Sequence, residues 1–139
     1  MKLLKSLFLL FIIFFFSIVT LSKRDEVYAK CRDAKPSDTP RIRKIYVKPG
    51  RAILYFTAVA ENNSYYFVAY GFAEGDDRFG VQFPFGPSSG HWIKYGINAL
   101  SPNTTYFFKV RGGNGCKPGN WSKWRKATTP KEGSRWYSF

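Results

Sequence analysis

The chain has 139 residues, 19% of them aromatic, with a formal net charge of +13, two cysteines and one histidine. That length supports one domain. With only His91 to join the two cysteines, zinc is poorly supplied, since structural sites take four protein ligands and catalytic sites three, whereas the excess of positive charge favours polyanionic partners.

Lys2 and Lys5 precede an apolar run from Leu7 to Leu21 that only Ser17 and Thr20 interrupt, the layout of a secretory signal peptide. At 15 residues the run is shorter than the ~20 that span a bilayer as a helix; the alternative is a single-pass anchor through residues 7–21. Val27-Tyr28-Ala29 supplies a small residue for cleavage, giving a signal over 1–29 and a mature start at Lys30, with Ser22/Lys23 as the competing junction. Lys30 before Cys31 does not make a lipoprotein cleavage signal, so no lipid is expected. Loss of residues 1–29 removes four basic and two acidic side chains and lowers the charge from +13 to +11. The expected location is secreted, extracellular or in the cell envelope, which argues against nucleic acid as a partner and leaves proteins and anionic polymers. In that oxidising setting a Cys31–Cys116 disulfide is expected, free thiols being the alternative.

A polar lead-in, residues 30–39, carries Cys31. From Pro40 onward come short runs rich in Tyr, Phe, Ile and Val, separated by turn residues. The predicted strands are Arg41–Lys48, ended by Pro49-Gly50; Arg51–Val59, ended by Glu61-Asn62-Asn63-Ser64; Tyr65–Ala73; Arg78–Phe83; His91–Ile97; Thr105–Arg111; and Trp121–Thr129. Seven short strands at this spacing predict an all-β antiparallel sandwich or barrel. Alternation assigns Ala52, Leu54, Phe56 and Ala58, then Tyr66, Val68, Tyr70 and Phe72, then Tyr106, Phe108 and Val110 to the core, with Lys109 and Arg111 on the opposite face. The outward rings of Phe67 and Phe107 have no evident role in this pattern.

The stretch Tyr95-x-Ile97-x-x-Leu100-x-Pro102-x-Thr104-x-Tyr106-x-Phe108-x-Val110 resembles the tyrosine corner and following strand of a fibronectin type III domain. The resemblance covers residues 36–130 and closes on Ala127-Thr128-Thr129-Pro130. It implies a seven-stranded immunoglobulin-like sandwich over residues 40–130, with Tyr106 sending its hydroxyl to upstream backbone and Asn103 taking a positive φ where the family commonly has glycine. Phe56 stands where many members carry a core Trp. The implied topology puts the start of the first strand beside the loop that holds Cys116, so a bridge from Cys31 is reasonable; closing a loop of about 85 residues stabilises by roughly 4–5 kcal/mol in the chain-entropy model.

Trp121-Ser122-Lys123-Trp124-Arg125 is similar to the Trp-Ser-x-Trp-Ser box of cytokine receptor domains, with Arg125 in place of the last Ser. The similarity implies a ladder in which Lys109 and Arg111 interleave with Trp121 and Trp124, either as a stiffening surface feature or as a basic face for a ligand. The loops expected at one end of the sandwich offer Tyr65, Phe85, Trp92, Lys117 and Trp121 as candidate ligand contacts. Glu74, Asp76 and Asp77 suggest either a calcium-binding turn or, the preferred reading, a solvated hairpin tip. His91 has no recognisable acid or nucleophile partner, so no catalytic residue, cofactor or metal site is expected. Asn62, Asn103 and Asn120 fall in glycosylation acceptor patterns, and the tail, residues 131–139, is aromatic enough either to fold back on the sheet or to dock elsewhere. The expectation is a monomeric, non-catalytic module that binds protein or anionic polysaccharide, the alternative being a spacer held by an uncleaved N-terminal anchor.

Overall fold

The computed structural model describes residues 31–135 and the backbone of Tyr137 and Ser138; the expected signal or anchor lies outside the described residues. Nine strands are present among them: β1 (Ile42–Lys48), β2 (Arg51–Thr57), β3 (Tyr65–Gly71), β4 (Phe79–Pro84), β5 (Trp92–Asn98), β6 (Thr105–Asn114), β7 (Lys117–Pro118), β8 (Arg125–Thr128) and β9 (Tyr137–Ser138). They form two antiparallel sheets, one ordered β5-β2-β1-β9 and the other β4-β3-β6-β7, with β8 also paired to β6. No described helix is long and apolar enough to cross a membrane.

The core follows the alternation. Ile45, Val47, Leu54, Phe56, Tyr66, Val68, Phe108 and Val110 are buried between the sheets. Phe56 fills the position of the larger ring, meeting Tyr66 edge-on at 5.1 Å between centroids, a favoured aromatic geometry. The buried Tyr66 hydroxyl accepts the Val59 N–H at 2.7 Å; burial raises its pKa, and the Val59 bond opposes the shift. Tyr106 makes the expected corner, its hydroxyl accepting the Ser101 N–H at 3.0 Å, and Asn103 has φ of 50°.

Three departures from the sequence reading have physical causes. The register between β1 and β2 slips between Ile42 and Lys44; this bulge keeps Ile42 and Ile45 both buried and leaves consecutive Arg43 and Lys44 both exposed. β3 stops at Gly71 because the Asp76 carboxylate accepts the Phe72 N–H at 2.9 Å and turns the chain. Phe72, expected in the core, is 44% exposed. β8 begins at Arg125, four residues later than predicted: the Ser122 hydroxyl accepts the Val110 N–H at 3.0 Å while its own N–H reaches Val110 O at 2.8 Å, so this residue replaces regular ladder pairing. The tail folds back, and its β9 backbone pairs with Tyr46 and Val47.

Candidate functional site

On the outer face of the β3–β6 sheet the predicted ladder assembles. The Arg111 guanidinium lies 4.4 Å from the Trp121 ring and 5.5 Å from Phe67. The Lys109 ammonium sits 4.5 Å from Trp121 and 4.5 Å from Trp124, and also meets Asp77 at 2.7 Å. Phe67 meets Trp121 edge-on at 5.8 Å, which gives that outward ring its role. Each cation–ring contact contributes on the order of 0.5–2 kcal/mol, more when water is excluded. The Lys109 side chain is only 12% exposed and Arg111 Nε is buried without a hydrogen-bond partner, so these charges are turned toward rings and Asp77.

The acidic turn beside it is likewise committed. Asp76 accepts from Phe72 N and from Arg78, and those bonds hold its carboxyl below the ordinary range, the Phe72 N–H contributing most.

At the loop end, Asn63 joins three segments: its Nδ2 donates to Phe85 O at 2.7 Å and its Oδ1 accepts the Gly113 N–H at 3.1 Å. Cys31 and Cys116 form the expected disulfide, with Cα atoms 5.7 Å apart. Asp33 accepts the Cys116 N–H at 2.9 Å, and Asn114 Nδ2 donates to Ala34 O at 3.1 Å, so the lead-in is tied down by more than sulfur. Although Asp33 lies close to both sulfurs, the bridge leaves no thiolate there to ligate a metal.

The five candidate contact residues do not converge. The Tyr65 ring lies over Gly113, where a Cβ would collide with it. Phe85 packs 5.9 Å from Tyr66, Lys117 is exposed in β7, and Trp121 belongs to the ladder. Trp92 opens β5 on the other sheet and is 57% exposed. It lies in the β2–β5 ladder opposite Thr57 and not in a loop.

Trp92 lies on an arrangement that the sequence reading missed. The outer face of β5-β2-β1 carries a shallow depression of about 380 Å³ lined by Arg43, Lys44, Tyr46, Tyr55 and Trp92. Lys44 Nζ stands 4.5 Å from Tyr46, Lys94 Nζ 5.9 Å from Tyr55, and the two tyrosines meet edge-on at 5.5 Å. Arg51 lies across Gly96, where a Cβ would fall 2.9 Å from its Nη2, so this glycine permits the guanidinium to lie flat. β1, β2 and β5 contain no Asp or Glu. The signal in the sequence was parity: residues alternating with the core set give Lys44, Tyr46, Tyr55, Trp92 and Lys94.

His91 is exposed, with Nδ1 2.7 Å from Ser89 O and 3.1 Å from Ser88 Oγ. A carbonyl can only accept, so this contact makes Nδ1 an N–H donor to Ser89 O, and an Nδ1 that carries its proton has no lone pair to act as a base on Ser88.

Two facing antiparallel sheets with this strand order define an immunoglobulin-like β-sandwich. Neither a family model nor a curated protein sequence matches the chain. Among solved structures, the fn3 domain of human contactin 1 is similar with a TM-score of 0.59 and 19% identity, over 73% of this chain and 84% of that one. The sixth fibronectin type III domain of human fibronectin type III domain containing protein 3 gives 0.50 and 20%, over 73% and 92%. A β-1,2-glucanase from Parabacteroides distasonis gives 0.51 and 16%, over 70% of this chain and 14% of the enzyme. The chain therefore has the fibronectin type III fold.

Proposed function

We propose that this protein is a non-catalytic module of the cell exterior that binds an anionic polysaccharide on the outer face of β5-β2-β1. The observation that carries the reading is the exposed Trp92 set beside Arg43 and Lys44 on strands that contain no carboxylate. An aromatic face stacks on a sugar ring, and the cations take its acidic groups. The disulfide accords with an oxidising compartment. The fold hosts many functions, so the reading rests on this face.

The test is binding of the full chain to a panel of acidic and neutral polysaccharides, followed by salt titration. Retention on acidic polymers should weaken steeply as salt screens the cations. Trp92→Ala and the pair Lys44→Glu with Lys94→Glu should each reduce affinity by roughly tenfold or more. Binding that is indifferent to salt and to all three substitutions sinks the proposal, and an unresponsive panel shifts weight to a protein ligand or a spacer role.

A further inference from the structure

Where the two sheets come together at the start of β1, residues 39–43 and residues 121–123 with Arg125 border an open groove of about 590 Å³. The groove has identifiable origins. Ser122 takes the Val110 N–H, which delays β8 until Arg125 and leaves residues 121–124 out of the ladder. Opposite, β9 pairs with β1 only at Tyr46 and Val47, so it does not pair with the earlier part of that strand. The Arg41 backbone is secured to β2, its N–H on Thr57 Oγ1 at 2.9 Å and its carbonyl accepting Thr57 N–H at 3.1 Å.

Four cations border this space: Arg41, Arg43, Lys123 and Arg125, all exposed. No carboxylate lines the groove, and none of the four forms an ion pair among the described residues. Pro40, Ile42 and Ser122 are buried beneath them. Like charges gathered around one concavity repel each other, and an anion bound there relieves the repulsion. Three of the four are arginines, whose forked donors match oxyanions in pairs. A carboxylate offers two oxygens, whereas a sulfate or phosphate monoester offers three terminal oxygens to these four cationic side chains. Arg43, the extra residue of the β1 bulge, borders both this groove and the Trp92 depression, which makes the two basic surfaces continuous.

We propose that the groove is an oxyanion site for sulfate or phosphate ester groups, by which one polysaccharide chain continues from the Trp92 face around the edge of the sandwich. This rests on the polysaccharide reading above. It makes the preferred ligand an esterified polymer, and it makes affinity depend on a chain long enough to reach both surfaces.

The experiment compares the full chain, Arg41→Gln with Arg125→Gln, Arg41→Glu with Arg125→Glu, and Trp92→Ala, against three probes: a sulfated polysaccharide, a phosphorylated one and a carboxylate-only one. Thermal melts verify that each variant is folded; where a reversal variant does not fold, the glutamine pair carries the test. The expected result is that the glutamine pair loses roughly fivefold, and the reversal tenfold or more, on an esterified probe, while both keep carboxylate binding within about twofold. The difference between sulfated and phosphorylated probes identifies the ester. Equal losses on all three probes, or none on any, overturn the groove proposal. If Trp92→Ala is silent while the arginine variants lose esterified binding, the groove stands and the Trp92 reading falls; if Trp92→Ala alone matters, the reverse holds.

Discussion

On the outer face of the β3–β6 sheet, Lys109 and Arg111 are packed against Trp121, Trp124 and Phe67, and Asp77 neutralises one of them. On the outer face of β5-β2-β1, Lys44 and Lys94 rest near tyrosines, no strand supplies a carboxylate, and the largest ring, Trp92, is left in solvent. Both faces interleave cations with rings, but one directs that chemistry inward and the other outward. The difference teaches that a motif of aromatic and basic residues does not by itself mark a binding surface. What decides is whether the charges already have counterparts within the protein.

The largest expected effect sets the reference for that contrast. Reducing the Cys31–Cys116 bridge, or replacing both cysteines with Ser, should cost roughly 4–5 kcal/mol and lower Tm by about 20 °C or more, measured by thermal denaturation with and without reductant. Polysaccharide binding below the new Tm should persist, because the bridge lies at the loop end. Next, Trp121→Ala should destabilise by about 2–4 kcal/mol, through lost packing and two cations deprived of a ring, yet leave affinity for a carboxylate-only polymer, held by the Trp92 face, within about twofold. Trp92→Ala should do the opposite, changing stability by less than about 0.5 kcal/mol while weakening binding. If denaturant titration and binding show both tryptophans contributing alike, the contrast between the faces is lost.

The smallest expected effect is a pH response confined to one side. The Asp76 carboxyl has a lowered pKa in the folded protein, mainly from the Phe72 N–H and then Arg78. Its contribution is therefore complete above the ordinary carboxylate pKa of about 4 and disappears as pH falls through the lowered value. Amide exchange at Phe72 should accelerate over that acidic window, while the amides of β5 and of the adjoining part of β2 do not follow it.

The sandwich and the ladder were legible because their signals are local. A corner such as Leu100 to Tyr106 lies within one stretch of chain, and Trp121-Ser122-Lys123-Trp124 presents its spacing directly. The open face was not, since its parts lie on strands from Arg43 to Lys94 and become neighbours only through the β1–β2 and β2–β5 registers. The bulge concealed Arg43 further: strict alternation opposes Ile42 to Ile45, and only the slipped register explains why both are buried. The exposure of Phe72 depended on a side-chain bond from Asp76, four residues on. The late start of β8 depended on the Ser122 hydroxyl standing in for a backbone group. Neither follows from hydropathy.

The disulfide also governs how the protein meets mechanical load. Tension that arrives at Cys31 from the preceding chain crosses the sulfur bridge directly to Cys116, and the 85-position span between them is a covalently closed loop that cannot lengthen. β1 to β6 all lie inside that loop. Under a pull between residue 31 and the tail, β1 is thus shielded from being peeled away, and only the segment beyond Cys116, with β7, β8 and β9, can pay out. The fold would hold its β5-β2-β1 surface intact under stretching while its last strands yield.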